Sequence, residues 1–83
     1  MEETLEKSPT NEWVGQLTGH SYSGASLLRR GLRGPTLDTM RRISQKIGWP
    51  INEQSEADLN GTWTEEFEVR VRRAFAESNT EGE

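Results

Sequence analysis

The 83-residue sequence predicts a single all-α domain, a small helical bundle. Apolar residues recur at intervals of three and four through most of the chain, which is the period of a helix with one buried face. Glycine, proline and hydroxyl residues stand between these segments, where helix ends and N-caps are expected. A core of this size is only marginally stable by itself.

The chain is expected to begin with a short arm, residues 1–9, followed by the first helix over residues 10–17. Residues 2–7 have room for one or two helical turns, and Ser8-Pro9 either ends these turns or caps the next helix. A glycine inside a helix, as at Gly15, costs about 1 kcal/mol relative to alanine, which predicts that the second helix crosses closely there. The inner face of the first helix consists of Trp13, Val14 and Leu17.

A tight turn and a second helix follow, over about residues 21–30. Gly19 can take the positive φ that such a turn needs, and Ser21 provides a hydroxyl N-cap. The predicted buried stripe is Ala25, Leu28 and Leu32. The opposite face is small, polar and basic: Tyr22, Ser23, Ser26 and Arg30. This helix-turn-helix suits insertion of the second helix into a DNA major groove.

Two further helices are predicted before residue 60. Thr36 looks like the N-cap of the first, and Gly48 ends it. Its buried stripe is Leu37, Met40, Ile43 and Ile47. The basic residues off this stripe, which are either a solvated face or contacts to the DNA backbone, are Arg41, Arg42 and Lys46. A short helix over about 51–58 precedes the turn dipeptide Asn60-Gly61.

The segment after this turn has an ambiguous period. Alternation of apolar residues would suit a β-strand over 63–75, whereas one helical stripe also runs through 63–77. Glutamates precede arginines by four residues, as in Glu66 and Arg70, which favours the helix. We therefore predict a C-terminal helix over 63–77 and a disordered tail over 78–83.

Several of these residues are shared with a known family. The sequence over roughly residues 13–54 resembles the lambda-repressor-like (Xre/Cro-type) helix-turn-helix family, which includes phage and prophage regulators. The resemblance rests on Gly15, Gly19, Ala25, Leu28, Gly31, Arg33, Pro35, 36–43 and 47–51. It implies a DNA-binding domain over 10–59. Members of that family usually begin with a full helix where this chain has a stub, so another element or a second subunit is expected to complete the core.

Charge is distributed unevenly along the chain, whose net charge is −4. Residues 13–50 carry a net charge of +5, whereas residues 1–12 carry −3 and residues 51–83 carry −6. The positive charge therefore coincides with the helix-turn-helix, where phosphate contacts would be needed.

The sequence makes enzymatic, metal-dependent and membrane functions poor candidates. It contains no cysteine and one histidine, His20, which we interpret as a packed turn residue with no nucleophile or base arranged beside it. No spacing supports a metal site, and we expect no cofactor and no small-molecule ligand. The absence of a long apolar run and of a signal-like start leads us to expect a cytoplasmic protein of a bacterial or phage-infected cell.

The predicted DNA-binding residues lie on the second helix and the loop after it: Ser21, Tyr22, Ser23, Ser26, Leu27, Arg30 and Arg33. Leu27 is open to two interpretations. It either faces the groove, where it could meet a thymine methyl, or packs against the loop.

A homodimer is expected because the C-terminal segment, 60–77, carries more apolar surface than the motif helices can obviously cover. The predicted dimer contacts are Trp63, Phe67, Val71 and Phe75. Such a dimer would recognise a near-palindromic operator in double-stranded DNA. The alternative is that this helix folds back onto its own domain.

Three functions are therefore considered. The first is a sequence-specific transcriptional regulator of the phage or prophage repressor or Cro type. The second is an antitoxin that binds DNA for autoregulation and uses its acidic tail to contact a basic partner. The third is a protein-protein adaptor that has kept the helical fold without a DNA role.

Overall fold

A computed structural model describes residues 8–81, which form five α-helices and no strand. The helices are α1 (Asn11–Thr18), α2 (Tyr22–Arg29), α3 (Leu37–Ile47), α4 (Ile51–Asn60) and α5 (Trp63–Glu81). The predicted all-α bundle is thus confirmed, and each helix end lies within four residues of the predicted one. The predicted helical turns over 2–7 lie outside the described residues.

Ser21, Thr36, Gly19 and Gly48 cap helices as the sequence predicts, whereas the N-cap of α1 is Thr10 and not Ser8-Pro9. The hydroxyl oxygens of Thr10, Ser21 and Thr36 each accept the backbone N–H three residues on, at 3.0, 3.2 and 3.2 Å. α1, α3 and α4 each end at a glycine in the left-handed region: Gly19, Gly48 and Gly61. Pro50, the N-cap of α4, makes no side-chain cap hydrogen bond.

The C-terminal segment is helical, so the strand alternative for 63–75 is wrong. α5 also extends to Glu81, and residues 78–81, which we expected to be disordered, continue the helix. Two glutamates in its first turn, Glu65 and Glu66, interact favourably with the positive end of the helix dipole. No glycine or proline interrupts the chain between Gly61 and Gly82 to end the helix earlier.

α5 supplies the centre of the hydrophobic core, which corrects the predicted dimer contacts. Trp63, Phe67 and Val71 are 3%, 0% and 0% exposed within the single chain. Phe75 is half-buried and meets the Trp13 ring edge-on, with the ring centroids 5.2 Å apart. Because α5 packs against α2, α3 and α4, its apolar stripe is covered by its own domain. Trp63, Phe67 and Val71 are therefore covered within their own chain, as in the alternative in which this helix folds back, and the homodimer itself stays a prediction.

Tryptophan rings and one buried amide join α3, α4 and α5. The rings of Trp49 and Trp63 stack with centroids 5.9 Å apart, and Trp63 stacks on Phe67 at 4.6 Å. Gln54 is fully buried, and its Nε2 donates to the backbone oxygens of Met40 at 2.8 Å and Trp49 at 2.9 Å. These two hydrogen bonds tie α4 to α3 and to the residue before Pro50, and they give the buried amide N–H groups of Gln54 their acceptors.

Candidate nucleic-acid interface

The turn between α1 and α2 depends on two glycines. Gly19 has φ +79°, and it ends α1 as predicted. A Cβ atom on Gly15 would lie 2.6 Å from the backbone oxygen of His20 and 3.4 Å from that of Ser21. The close approach predicted at Gly15 is therefore made by the backbone that leads into α2, and any side chain there would push α2 away from α1.

α2 buries one narrow stripe and presents the rest of its surface to solvent. Gly24, Ala25 and Leu28 are buried, and Ala25 and Leu28 belong to the core. Leu32 was predicted to extend this stripe, but it is 64% exposed. The reason is that α2 ends at Arg29, so the helical period no longer governs where Leu32 lies.

The predicted DNA-binding residues form two groups by exposure. Ser26 and Leu27 are half-buried, and the partial exposure of Leu27 matches neither of its two interpretations completely. Arg30 Nη1 donates a long hydrogen bond of 3.5 Å to Ser26 Oγ, so these two side chains lie side by side. The exposed group is Ser21, Tyr22, Ser23, Arg30 and Arg33. The structure thus leaves five of the seven predicted DNA-binding residues exposed and places Arg30 beside Ser26.

Arg29, one position before Arg30, has a different environment. Its guanidinium donates to both carboxylate oxygens of Glu68 on α5, Nε to Oε1 at 3.1 Å and Nη2 to Oε2 at 2.8 Å. Nη1 also donates to the Pro9 backbone oxygen at 2.7 Å and to Asn11 Oδ1 at 2.9 Å. Arg29 therefore holds α2 against α5 and the N-terminal segment, and this part of the predicted positive charge is internally compensated.

A second group of cations surrounds His20. Arg42 lies against Gly19, with its Nε 2.8 Å from the point that a Cβ there would occupy. Arg33 reaches back to Gly24, where its Nη1 and His20 Nδ1 are each 3.3 Å from the Cβ position. Because both nitrogens lie at this distance from one point, Arg33 Nη1 and His20 Nδ1 cannot be separated by more than twice 3.3 Å. The two glycines on either side of His20 thus each leave room for one arginine.

His20 is half-buried and hydrogen-bonded, as a packed turn residue should be. Its Nε2 lies 3.1 Å from Thr39 Oγ1, and the Thr36 hydroxyl donates to the same oxygen at 3.1 Å. Because a hydroxyl oxygen has two lone pairs, Thr39 Oγ1 can either donate to Nε2 or accept from Nε2–H, so this contact holds the ring in place in either neutral tautomer. Burial, followed by repulsion from Arg33 and Arg42, lowers the pKa of His20 from its ordinary value of 6.5.

Two exposed apolar residues, Leu32 and Leu37, were not expected from the sequence. Tyr22, Leu32 and Leu37 are 66%, 64% and 56% exposed. Leu37 had been assigned to the buried stripe of α3, but it is the first residue of that helix, where no neighbouring turn covers it. Arg41 and Lys46 are exposed on α3, and Arg42 pairs with Asp38 at 3.1 Å.

Neither a metal site nor a membrane-spanning helix is present in the part of the chain that the structure describes. No group of three acidic, histidine or cysteine side chains there could hold an ion, and no described helix is long and apolar enough to cross a bilayer. A surface groove of about 520 Å³ lies between the end of α3 and α5. It is open and carries mixed charge, with Lys46, Arg70 and Arg73 beside Glu77.

No protein-family model, curated protein or solved structure matches this chain. The resemblance to lambda-repressor-like domains therefore stays a prediction from the residues in 13–54.

Proposed function

We propose that this protein is a sequence-specific transcriptional regulator that binds double-stranded DNA with α2 in the major groove, like repressors of the phage or prophage type or Cro. The observation that carries the proposal is the surface of α2. Its N-terminal turn exposes Ser21, Tyr22 and Ser23, while Ala25 and Leu28 attach the opposite side to the core. Small polar groups near a helix N-terminus can reach base edges, and serine bonds to several of them.

The charge of the same surface supports the proposal. Arg30 and Arg33 are exposed beyond the end of α2, and the described residues place no carboxylate in an ion pair with either of them. Arg41 on α3 is also exposed, whereas Lys46 lines the groove between α3 and α5. Affinity for a duplex comes mainly from cations that neutralise phosphates, so uncompensated arginines beside a polar helix face are what such a surface needs.

Selection from random duplexes at low salt tests this function. We expect enrichment of a defined sequence, with affinity falling steeply as salt is raised. A two-fold symmetric product would require two copies of the chain on one site, whereas an asymmetric product would indicate one copy. Failure to retain any duplex at low salt would contradict the proposal.

A second candidate, a protein-protein adaptor, is favoured by the exposed apolar residues Tyr22, Leu32 and Leu37. Large apolar side chains on one surface are typical of a protein interface. Substituting Leu32 and Leu37 together by serine separates the two functions. Retained duplex affinity in this double variant would favour DNA binding through α2 and leave the leucines to another partner.

A further inference from the structure

We propose that His20, Arg33 and Arg42 together form a binding site for one backbone phosphate of the duplex. This inference rests on the proposed function, because the phosphate is taken to belong to bound DNA. The three side chains come from three different parts of the fold: the α1–α2 turn, the α2–α3 loop and α3. His20 directly precedes Ser21 and Tyr22, which begin the exposed surface of α2, and both arginines act electrostatically on its ring.

The packing around the two glycines brings these cations together. The flat guanidinium of Arg42 covers Gly19, with Nε, Cδ and Cζ at 2.8, 3.0 and 3.0 Å from the absent Cβ. At Gly24, Arg33 Nη1 and His20 Nδ1 each lie 3.3 Å from the position that a Cβ atom would occupy. A side chain at either glycine would displace an arginine, so the absence of both Cβ atoms is what allows the cluster to form.

Each member can donate a hydrogen bond to a phosphate oxygen. Nε2 of His20 is hydrogen-bonded to Thr39, so Nδ1 is the ring nitrogen on the side of Arg33, and it carries a proton to donate whenever the ring is protonated. Arg33 has no carboxylate partner among residues 8–78, and Arg42 uses only Nε in its exposed contact with Asp38. Arg42 therefore keeps its terminal nitrogens, and guanidinium groups suit phosphate because they present several donors in one plane.

Arg33, Arg42 and the neighbouring Asp38 together carry one net positive charge while His20 is neutral, and two when its ring is protonated. Arg33, Arg42 and Asp38 are the charged groups acting on the ring, and the two arginines oppose its protonation. A bound phosphate brings negative charge that offsets them, so the pKa of His20 should rise in the complex. Between the pKa of His20 in the free protein and its higher pKa in the complex, the complex binds more protons than the free protein does. The affinity for the duplex therefore increases as pH falls through this range.

The single histidine of the chain makes the proposal measurable by proton NMR of the His20 ring between pH 5 and 8.5. Titrations are compared for the free protein, for the protein with the selected duplex, and with inorganic phosphate at the same phosphate concentration. We expect the pKa to rise with the duplex and not with inorganic phosphate. An equal rise with inorganic phosphate would overturn the assignment to the DNA backbone.

Binding of the same duplex is followed by fluorescence anisotropy at pH 5.5 and 7.5. Wild type should bind about three- to tenfold more tightly at pH 5.5, which corresponds to a pKa rise of about half to one unit. His20→Gln should lose this difference, because the amino terminus titrates near pH 8 and the carboxylates near pH 4. A duplex that binds while the pKa of His20 stays unchanged would overturn this inference alone; absence of any duplex binding would overturn the proposed function as well.

Arginine variants separate a phosphate contact from a structural role. Arg33→Gln and Arg42→Gln should each reduce the salt dependence of duplex binding by about one phosphate contact, and each should raise the pKa of His20 in the free protein by removing repulsion. Arg73→Gln, an exposed arginine on α5, is the matched control and should change neither quantity. Loss of affinity with an unchanged salt slope in the first two variants would contradict direct phosphate binding.

Discussion

Arg29 on α2 and Glu68 on α5 form a two-pronged ion pair, with N···O distances of 3.1 and 2.8 Å. Their side chains are only 14% and 24% exposed, and they are 39 residues apart in sequence. A pair of this kind sets the position of α2 relative to the helix that fills the core. α2, the helix proposed to enter the DNA groove, is thus fixed in position by an ion pair with α5.

Replacing Glu68 by glutamine should lower the free energy of unfolding by about 1.5–3 kcal/mol, because Arg29 would stay half-buried without a charged acceptor. Urea denaturation followed by circular dichroism measures the change. Arg72→Gln is the control, since Arg72 is the more exposed partner of the same carboxylate, at 3.0 Å, and should cost under about 0.5 kcal/mol. An equal decrease in the free energy of unfolding of the two variants would show that the contact with Arg29 stabilises the fold no more than the contact with Arg72 does.

The same pair predicts how stability depends on acid. The hydrogen bond from Arg29 holds the pKa of Glu68 below its ordinary value of 4.5, against the opposing effect of burial. A lowered pKa stabilises the fold above the unfolded-state value, and the contribution is lost as pH falls through the folded-state value. The stability difference between wild type and Glu68→Gln should therefore shrink between pH 6 and pH 3. A constant difference over that range would contradict this explanation.

Gly15→Ala should destabilise the protein by about 1–3 kcal/mol, although alanine favours helices, because the new methyl group would meet the His20 backbone oxygen at 2.6 Å. Gly34→Ala is the matched control. Its Cβ would have no neighbour within 4 Å, and its φ is not positive, so stability should stay equal or rise by up to about 1 kcal/mol. Thermal unfolding compares the two, and a neutral Gly15→Ala would mean that the turn can move away at no cost.

Phe67→Ala should cost about 3–5 kcal/mol, since a fully buried ring at the centre of the core would be replaced by a cavity. Val69→Ala, two residues away and 56% exposed, should stay within about 0.5 kcal/mol. Light scattering on both folded variants checks that Phe67 is a core residue and not a contact between subunits. A change of molecular mass with unchanged stability in the Phe67 variant would return this residue to a subunit interface.

Ser26→Ala should alter base preference at one position of each recognised site, because a serine hydroxyl can bond directly to a base edge. Arg33→Ala should weaken binding to all sequences alike, as expected for a phosphate contact. Selection repeated with each variant measures both effects, and Arg73→Ala serves as the control for charge alone. Wild-type specificity and affinity in both variants would show that this face of α2 does not contact DNA.

Local features of the sequence were sufficient to predict the five-helix architecture of the described chain apart from its exact ends. Thr10, Ser21 and Thr36 cap helices because a hydroxyl three residues before a free N–H is a local relationship. Gly19 and Gly48 end helices because their backbone takes positive φ. The choice of helix over strand for 63–77 depended on charges four residues apart, which is also a local interaction.

Only the tertiary structure decided what covers each apolar stripe and which charges are compensated. The period of Trp63, Phe67 and Val71 shows that one face of α5 is apolar, but an identical stripe would serve a second subunit equally well. Burial in the same chain depends on how α5 returns across α2, α3 and α4. The partners of Arg29, and the meeting of Arg33 and Arg42 at His20, likewise join residues far apart in sequence, because packing and electrostatic interactions depend on distance in space.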